Sequence, residues 1–310
     1  MVIAELDHDG IVGIGEACPN RYYNETPESI VDALAAQKAW LATRSPLGYT
    51  HFLEEAEEKL AECRGALSCL DLAVFDWVGK KLGQPLYRLF GLDLNRSPST
   101  SYTIGIDSVE NMVVKIREAA GFPIIKIKLG TPDDIEIVRA LREQTEAVFR
   151  VDANCGWSVQ EAIEKSKELA ALGVEFIEQP LPANQLEAME EVYAKSALPL
   201  VADENSVGPA DVVHLRGRFH GINIKLVKCG GLLPAMRMVH LARTFGLKLM
   251  LGCMVDSSVS ATAAAHLGPM MDYLDLDGPL LITNDPYRGV EYIDARPVPP
   301  DVPGIGVALR

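Results

Sequence analysis

Several features typical of common protein classes are missing from this sequence of 310 residues. It has no long basic run and carries a formal net charge of −14, which argues against nucleic acid or an anionic membrane as a partner. No apolar run is long enough to cross a bilayer, and no charged-then-apolar leader follows Met1. We therefore expect neither nucleic acid nor a membrane among its partners.

Metal-binding patterns of histidine and cysteine are also missing. The 6 histidines show neither H-x-H nor H-x-x-x-H spacing, so a histidine-ligated metal is not expected. The 6 cysteines include no C-x-x-C pair and are scattered through the chain, which is typical of free thiols in a reducing compartment. We therefore expect a cytoplasmic protein without disulfides.

A glycine-rich dinucleotide-binding turn is absent as well. The glycines at positions 10, 13 and 15 do not form G-x-G-x-x-G, and no helix follows them directly. The apolar runs Val2–Leu6 and Ile11–Gly15 flank an Asp-Gly step, which predicts a β-hairpin. Helical spacing of apolar residues then predicts three helices, over Thr26–Leu41, His51–Cys63 and Leu67–Leu82.

The pattern changes near residue 100, where short apolar runs begin to alternate with amphipathic segments. This alternation predicts βα units and a parallel sheet. Eight strands with seven helical intervals favour a closed (β/α) barrel, although a doubly wound open sheet is an alternative at this stage. The predicted strands are Tyr102–Ile106, Ile124–Leu129, Val148–Ala153, Val174–Glu178, Leu198–Asp203, Gly221–Leu226, Lys248–Gly252 and Tyr273–Asp277.

Charged side chains stand near the ends of most of these strands. Asp152, Glu178 and Asp203 end three consecutive strands, with Lys128 and Lys225 on the strands to either side. In a parallel barrel the C-terminal ends of all strands open onto one face. Each acid could instead cap the helix that follows it. Three neighbouring carboxylates flanked by lysines fit a shared hard cation better, and an all-oxygen set favours Mg²⁺.

The lysines suggest acid/base chemistry at the same face. Lys126 and Lys128 are two residues apart and so point to one side of their strand, an arrangement that also fits a solvated edge strand. Lys225 comes four strands later, which places it across a barrel of eight from Lys128. Two opposed bases beside a metal suit removal of a proton α to a carboxylate and its return from the other face. Burial and neighbouring positive charge would lower the pKa of each lysine for this work.

Six segments, taken in order, carry a family resemblance: Gly13–Glu16, Lys126–Lys128, Val151–Asn154, Glu178–Pro180, Ala202–Glu204 and Asn223–Lys225. In combination they resemble the muconate-lactonizing subgroup of the enolase superfamily. The resemblance implies an α/β fold, a (β/α)7β-type TIM-like barrel with an N-terminal α+β capping domain. It also implies a cap over 1–98, a catalytic barrel over 99–282, and a C-terminal segment over 283–310 that packs back toward the cap.

The same resemblance assigns roles to the strand-end residues. Asp152, Glu178 and Asp203 would bind Mg²⁺, and the metal would bind a substrate carboxylate. Lys128 and Lys225 would be the two acid/base catalysts, serving the (R) and (S) epimers respectively. Enolase-superfamily sites pair a lysine or histidine base with Mg²⁺ that stabilises an enediolate.

The segment Asp275-Leu276-Asp277 resembles the D-x-D of dipeptide epimerases of the L-Ala-D/L-Glu type. Two aspartates at this spacing share a face and can hold an α-ammonium group, although a polar strand end before a turn is the plainer interpretation. Lys126 would neutralise the substrate carboxylate. Three further residues resemble pocket-lining positions of epimerases, with simple packing as the alternative for each: Thr103, Cys253 and Met254.

These implications lead us to expect Mg²⁺-dependent epimerisation of a dipeptide at the α-carbon of its C-terminal residue. A cycloisomerase or an N-acylamino acid racemase of the same superfamily is the alternative, as is a catalytically impaired, truncated homologue. The last alternative arises because family members usually begin with a further strand and a mobile loop, whereas Met1 enters directly at the second strand. Asn205 also departs from the family, where a serine commonly follows the Asp-Glu pair. Many relatives are homo-oligomers, and this chain could assemble in the same way.

Overall fold

The computed structural model describes all residues from Met1 to Arg310. The N-terminal part begins with the predicted hairpin, in which β1 (Val2–His8) pairs antiparallel with β2 (Ile11–Ala17). Asp9 and Gly10 have positive φ values of 54° and 74°, as the tight turn between the strands requires. Five helices follow: α1 (Pro27–Ala36), α2 (Lys38–Leu41), α3 (Tyr49–Lys59), α4 (Arg64–Leu82) and α5 (Leu86–Leu89).

The first predicted helix is divided into α1 and α2. The backbone leaves the helical region at Gln37, with φ −95° and ψ 1°, so one continuous helix over these residues is wrong. The start of α1 follows its sequence signals. The Thr26 hydroxyl accepts a hydrogen bond from the Ser29 N–H at 3.1 Å, and Pro27 occupies the first turn, where its missing N–H costs nothing.

Helix α4 forms the centre of the cap. All of its residues from Gly65 to Gly79 are buried, because β2 packs on it from one side and the barrel from another. Glycine in β2 permits this close approach. A Cβ atom at Gly15 would lie 1.9 Å from the carbonyl oxygen of Cys69, and one at Gly13 would lie 2.0 Å from that of Ala73. These glycines therefore permit the close packing of β2 on α4.

Eight parallel strands form the barrel, and each pairs with its neighbours in chain order. The barrel closes where Thr100 bridges to Leu274 and the Ser101 N–H donates to the Leu274 carbonyl at 3.1 Å. The predicted barrel is thus confirmed and the open sheet is wrong. The strands are β3 (Tyr102–Ile104), β4 (Ile124–Lys128), β5 (Val148–Asp152), β6 (Val174–Glu178), β7 (Leu200–Ala202), β8 (Gly221–Lys225), β9 (Lys248–Gly252) and β10 (Tyr273–Asp275).

Several strands are shorter than predicted at the end that faces the site. Because β7 ends at Ala202 and β10 ends at Asp275, Asp203 and Asp277 lie in the loops that follow. Helices occupy all seven intervals between the strands, and no α-helix follows β10, as a (β/α)7β barrel requires. The helices are α6 (Val109–Glu118), α7 (Asp134–Arg142), α8 (Val159–Ala171), α9 (Met189–Lys195), α10 (Pro209–Val212), α11 (Leu226–Cys229), α12 (Leu232–Thr244) and α13 (Ser258–Ala265).

The last segment returns to the cap. The Ile305 N–H donates to Asp76 of α4 at 2.8 Å, and the Gly304 carbonyl accepts from the Leu86 N–H at 3.3 Å. The division of the chain at 98 and 282 remains a prediction. None of the helices combines the length and the apolar character needed to cross a membrane. Two short antiparallel pairs complete the segment, β11 (Tyr287–Arg288) with β14 (Ala308–Leu309) and β12 (Glu291–Ile293) with β13 (Arg296–Val298).

Candidate active site

Three acids meet at the mouth of the barrel. Asp152 and Glu178 end β5 and β6 and are direct neighbours in the parallel register, while Asp203 follows β7. One carboxylate oxygen from each lies within 4.8 Å of the others, and all three side chains are buried. Burial and the charge of Asp152 raise the pKa of Glu178 to about 7. A shared cation would relieve this repulsion, and the all-oxygen donor set fits Mg²⁺.

The Glu178 side chain also has an acceptor capacity that the protein leaves unused. Its Oε1 accepts a hydrogen bond from Asn223 Nδ2 at 2.8 Å, whereas Oε2 is buried and has no hydrogen-bond partner. Lys126 Nζ lies 2.8 Å from Oε2 but outside hydrogen-bonding geometry, so this contact is an ion pair only. An oxygen in this state is available as a metal ligand.

Two amide side chains fix the loops that carry the acids. Gln179 has a positive φ of 35°, and its Oε1 accepts hydrogen bonds from the N–H groups of Asp203 at 3.0 Å and Asn205 at 3.3 Å. The Gln179 Nε2 donates to Asn205 Oδ1 at 2.7 Å. Asn205, which departs from the family pattern, thus ties the loop after β7 to the loop after β6.

Lys126 lies among the carboxylates of the site and is almost fully buried. Its Nζ is 2.7 Å from Asp275 Oδ2, 2.8 Å from Glu178 Oε2 and 3.2 Å from Asp152 Oδ2. Burial alone lowers the pKa of Lys126, but the charges of Asp275, Glu178 and Asp152 together raise it well above its usual value. These charges favour the ammonium form of Lys126, which lies between the acid triad and Asp275 at the end of β10.

Lys128 and Lys225 approach the site from opposite sides, because β4 and β8 are four strands apart in a barrel of eight. Lys128 Nζ lies 2.6 Å from Asp152 Oδ2, and Lys225 Nζ lies 2.8 Å from Asp203 Oδ2. Both line one cavity of about 310 Å³. Burial lowers the pKa of Lys225, but the charge of Asp203 outweighs this effect and raises that pKa. The expected lowering in the presence of Mg²⁺ stays a prediction.

Asp275 and Asp277 line the same cavity and have different partners. Both oxygens of Asp275 are engaged, by Ser101 Oγ at 2.6 Å and by Lys126 Nζ at 2.7 Å. Asp277 Oδ2 accepts from the Thr103 N–H at 2.6 Å, which leaves Oδ1 free of strong donors. Burial and the charge of Asp275 raise the pKa of Asp277 to about 6.

The three predicted pocket-lining residues also border this cavity: Thr103, Cys253 and Met254. Thr103 acts through its backbone N–H on Asp277, and Cys253 Sγ lies 3.9 Å from Asp277 Oδ1. The cap contributes the segment Cys18-Pro19-Asn20, and Asn20 Nδ2 donates to Met254 Sδ at 3.5 Å. The residues that follow β2 therefore form part of the wall of this cavity.

Sequence reasoning missed a fourth lysine. Lys228 is almost fully buried in α11, and its Nζ donates to the carbonyls of Asp203 at 2.6 Å and Asn223 at 3.2 Å as well as to the Asp203 carboxylate. These contacts hold the loop that follows β7 and carries Asp203. Lys228 comes three residues after Lys225, at the start of a helix, and this spacing places both lysines on one side of a turn. This spacing is the sequence signal from which Lys228 could have been predicted.

Comparison with known protein families agrees with this geometry. A family model described as "Enolase C-terminal domain-like" matches residues 109–310, and one described as "Mandelate racemase / muconate lactonizing enzyme, N-terminal domain" matches residues 1–91. The two matches together cover the whole chain except residues 92–108.

Individual relatives match over nearly the whole chain. The L-Ala-D/L-amino acid epimerase of Flavobacterium johnsoniae is 44% identical over 308 residues, which cover 99% of this chain and 91% of that protein. The L-Ala-D/L-Glu epimerase of Bacteroides thetaiotaomicron is 40% identical, with coverage of 99% and 80%. The crystal structure of the dipeptide epimerase from Methylococcus capsulatus, complexed with Mg and the dipeptide L-Arg-D-Lys, is 37% identical, with a TM-score of 0.91 over 98% of this chain and 90% of that one. The chain therefore belongs to the dipeptide epimerase family of the enolase superfamily.

Proposed function

We propose that this protein is a Mg²⁺-dependent dipeptide epimerase that inverts the α-carbon of the C-terminal residue of its substrate. One observation carries the proposal: Lys128 and Lys225 reach a single cavity from opposite strands, and each contacts a different acid of the metal site. The activities named for the Flavobacterium johnsoniae and Bacteroides thetaiotaomicron relatives support it, as does the dipeptide bound to the Methylococcus capsulatus enzyme.

The metal site determines how the substrate lies. Asp152, Glu178 and Asp203 would hold Mg²⁺. When bound, the ion would supply positive charge that stabilises the substrate carboxylate as its α-proton leaves and that lowers the pKa of nearby lysines. Lys126, fixed between two of these acids and Asp275, adds a second positive charge at the same place.

The two lysines exchange roles between the directions of the reaction. A neutral lysine on one side takes the α-proton, and the ammonium group of the other returns a proton to the opposite face, which inverts the centre and leaves the protein with the same total number of protons. Lys128 is held by Asp152 and by Asn154 Oδ1 at 3.4 Å, and Lys225 by Asp203. These contacts keep each nitrogen near its own face of the substrate.

Asp275 and Asp277 favour a substrate with a free α-ammonium group. They place two carboxylates at one end of the cavity with a single lysine between them and the acid triad. An N-acylated amino acid or a muconate would bring no positive charge to this end, so the racemase and cycloisomerase alternatives fit less well.

The direct test is proton exchange in D₂O. With Mg²⁺ and a panel of L-Ala dipeptides, including L-Ala-L-Glu, we expect deuterium to replace the α-proton of the C-terminal residue, measured by ¹H NMR, together with formation of the L,D epimer. A panel without any exchange would contradict the proposal, and exchange only with N-acylated amino acids would favour the racemase.

Lysine variants test the assignment of the two faces. Lys225→Ala and Lys128→Ala should each lower epimerisation by at least about 100-fold. Each variant should still exchange the α-proton of the one epimer that faces the remaining lysine. Lys248→Ala, at the exposed start of β9, serves as the matched control and should retain full activity. Loss of exchange from both epimers in both single variants would refute the two-face mechanism.

A further inference from the structure

A hairpin of the C-terminal segment contacts the D-x-D motif. Its strands, β12 and β13, are joined by Asp294 and Ala295, whose positive φ values of 51° and 59° form a tight turn. The hydroxyl of Tyr292, on β12, donates to the Leu276 carbonyl at 2.6 Å. Leu276 stands between the two aspartates of the motif. The hairpin therefore reaches the part of the site that we assign to the α-ammonium group of the substrate.

The backbone of Leu276 has no partner in the barrel sheet, because β10 ends one residue earlier, at Asp275. The Leu276 N–H donates to the hydroxyl oxygen of Thr100 at 2.8 Å, and that hydroxyl donates in turn to the Ser101 carbonyl at 3.1 Å. The Leu276 carbonyl accepts only from Tyr292. Two side chains, one on each peptide group, thus replace the strand pairing that holds the rest of β10.

The same hairpin also holds Thr100. The Thr100 N–H donates to the carbonyl of Ala295, in the hairpin turn, at 2.8 Å, and the Thr100 side chain is fully buried. Tyr292 is half-buried, and burial raises the pKa of its phenol, so the hydroxyl keeps its proton and remains a donor. Both hydrogen bonds to Leu276 therefore depend on the position of this hairpin.

The two aspartates depend on this support to different degrees. Asp275 has two side-chain donors of its own, as described above. Asp277 has one strong donor, the Thr103 N–H at 2.6 Å. The Leu276 carbonyl belongs to the planar peptide group that ends at the Asp277 nitrogen, so the hydrogen bond from Tyr292 restrains the rotation that would turn the Asp277 side chain. Loss of the Tyr292 hydroxyl should therefore disturb Asp277 more than Asp275.

We propose that Tyr292 and Thr100 are positioning residues for the substrate α-ammonium group, because they hold Leu276 so that Asp277 faces the cavity at the place where this group binds. Neither residue lines the cavity, so both act through the motif and not by contact with the substrate. The inference rests on the proposed epimerase function, and it gives the C-terminal segment a part in substrate recognition.

Tyr292→Phe tests the proposal, because it removes the hydroxyl and keeps the ring. With the L-Ala dipeptide that reacts fastest in the D₂O panel, we expect KM to rise about fivefold, the effect of one lost hydrogen bond, and kcat to change by less than about twofold. Tyr287→Phe is the matched control in the same segment, since only the backbone of Tyr287 makes hydrogen bonds, and it should leave both constants unchanged. An unchanged KM in Tyr292→Phe, or an equal rise in the control, would overturn the proposal.

A second ligand separates loss of ammonium recognition from a general distortion of the site. The desamino analogue, in which a propionyl group replaces the L-alanyl residue of the same dipeptide, lacks the ammonium group. Its Ki is measured as inhibition of epimerisation, and Tyr292→Phe should leave this Ki within about twofold of that of the unchanged protein, because the analogue makes no contact that depends on Asp277. A parallel rise in KM and Ki would contradict the proposal.

The other hydrogen bond to Leu276 provides an independent test. Thr100→Val removes the acceptor of the Leu276 N–H and should raise KM as Tyr292→Phe does, whereas Thr100→Ser keeps the hydroxyl and should not. Measurement of Tm shows that each variant is folded. Equal rises in KM in the valine and serine variants would assign the effect to packing and overturn the proposal. Absence of exchange with every dipeptide in the unchanged protein would instead refute the proposed function.

Discussion

Asp275 and Asp277 show how two identical side chains acquire different properties in one site. Lys126 contacts Asp275, and although burial opposes ionisation, this contact keeps the pKa of Asp275 below its usual value. Asp277 has no such cation, so burial and the charge of Asp275 raise its pKa. At the residue scale, the D-x-D motif therefore combines an internal partner of Lys126 with a carboxylate that is available to a ligand.

The raised pKa of Asp277 predicts a pH dependence of substrate capture. Its pKa of about 6 means that the carboxyl group is neutral below pH 6 and cannot pair with an ammonium group there. We expect kcat/KM to fall as the pH decreases through 6, as measured by initial rates between pH 5 and 8. Asp277→Asn should lower kcat/KM at pH 8 and remove this inflection. Persistence of the same inflection in Asp277→Asn would contradict the assignment.

At the scale of elements, the ends of short strands position the residues of the site. The acids and the lysines were predicted from the sequence, because short apolar runs between helical segments identify the strands and a parallel barrel brings every strand end to one face. The D-x-D motif was predicted from the family resemblance. Details that depend on contacts between distant segments were not predictable. The 2.7 Å contact between Lys126 and Asp275 joins residues 149 positions apart, and nothing local to either residue indicates it. The same holds for the Gln179–Asn205 pair and for the buried environment of Lys228.

Metal binding should link three strands and so stabilise the barrel. Addition of Mg²⁺ to chelator-treated protein should raise Tm, since a ligand at 100 times its Kd contributes about 2.7 kcal/mol to the folded state. Asp152→Asn should remove most of this shift and abolish activity. Asp107→Asn, which changes an exposed acid that pairs with Lys115 and is not part of the triad, should respond to Mg²⁺ as the unchanged protein does. Differential scanning calorimetry with and without Mg²⁺ measures the effect, and equal shifts in the two variants would argue against the site.

The packing of β2 on α4 predicts a strong effect of a single methyl group. Gly15→Ala would place a Cβ atom 1.9 Å from the backbone carbonyl oxygen of Cys69. This oxygen lies in the middle of a buried helix, where the backbone cannot shift without a large cost in free energy. We expect a loss of about 3 kcal/mol or more, or failure to fold. Gly121→Ala is the control, because a Cβ atom at this exposed residue would have no other atom within 4 Å. Chemical denaturation of both variants measures the difference, and similar stabilities would show that the strand and helix can separate.

At the scale of the whole molecule, His266 connects the three parts of the chain. It follows α13 of the barrel, its Nε2 donates to the Ile305 carbonyl of the last segment at 2.9 Å, and its Nδ1 accepts from the Tyr87 N–H of the cap at 3.2 Å. A carbonyl can only accept and an N–H can only donate, so these bonds require the neutral ring. Burial lowers the pKa of His266 to about 4.

This histidine predicts a loss of stability in mild acid. The folded pKa of about 4 lies below the ordinary 6.5, so the unfolded chain binds a proton more readily between these values. The contribution of the neutral ring is complete above pH 6.5 and decreases as the pH falls toward 4, by about 3 kcal/mol in total. Urea unfolding at pH 7 and pH 5 should show a larger loss in the unchanged protein than in His266→Gln. Parallel losses would exclude His266 as the cause.

The position of Lys126 has a consequence for the order in which the protein folds and binds its metal. Its ammonium group balances part of the negative charge of Asp152, Glu178 and Asp275 with an atom that belongs to the chain itself. We therefore expect the strands to close without first capturing a metal from the surroundings, and metal loading to follow folding as a separate event.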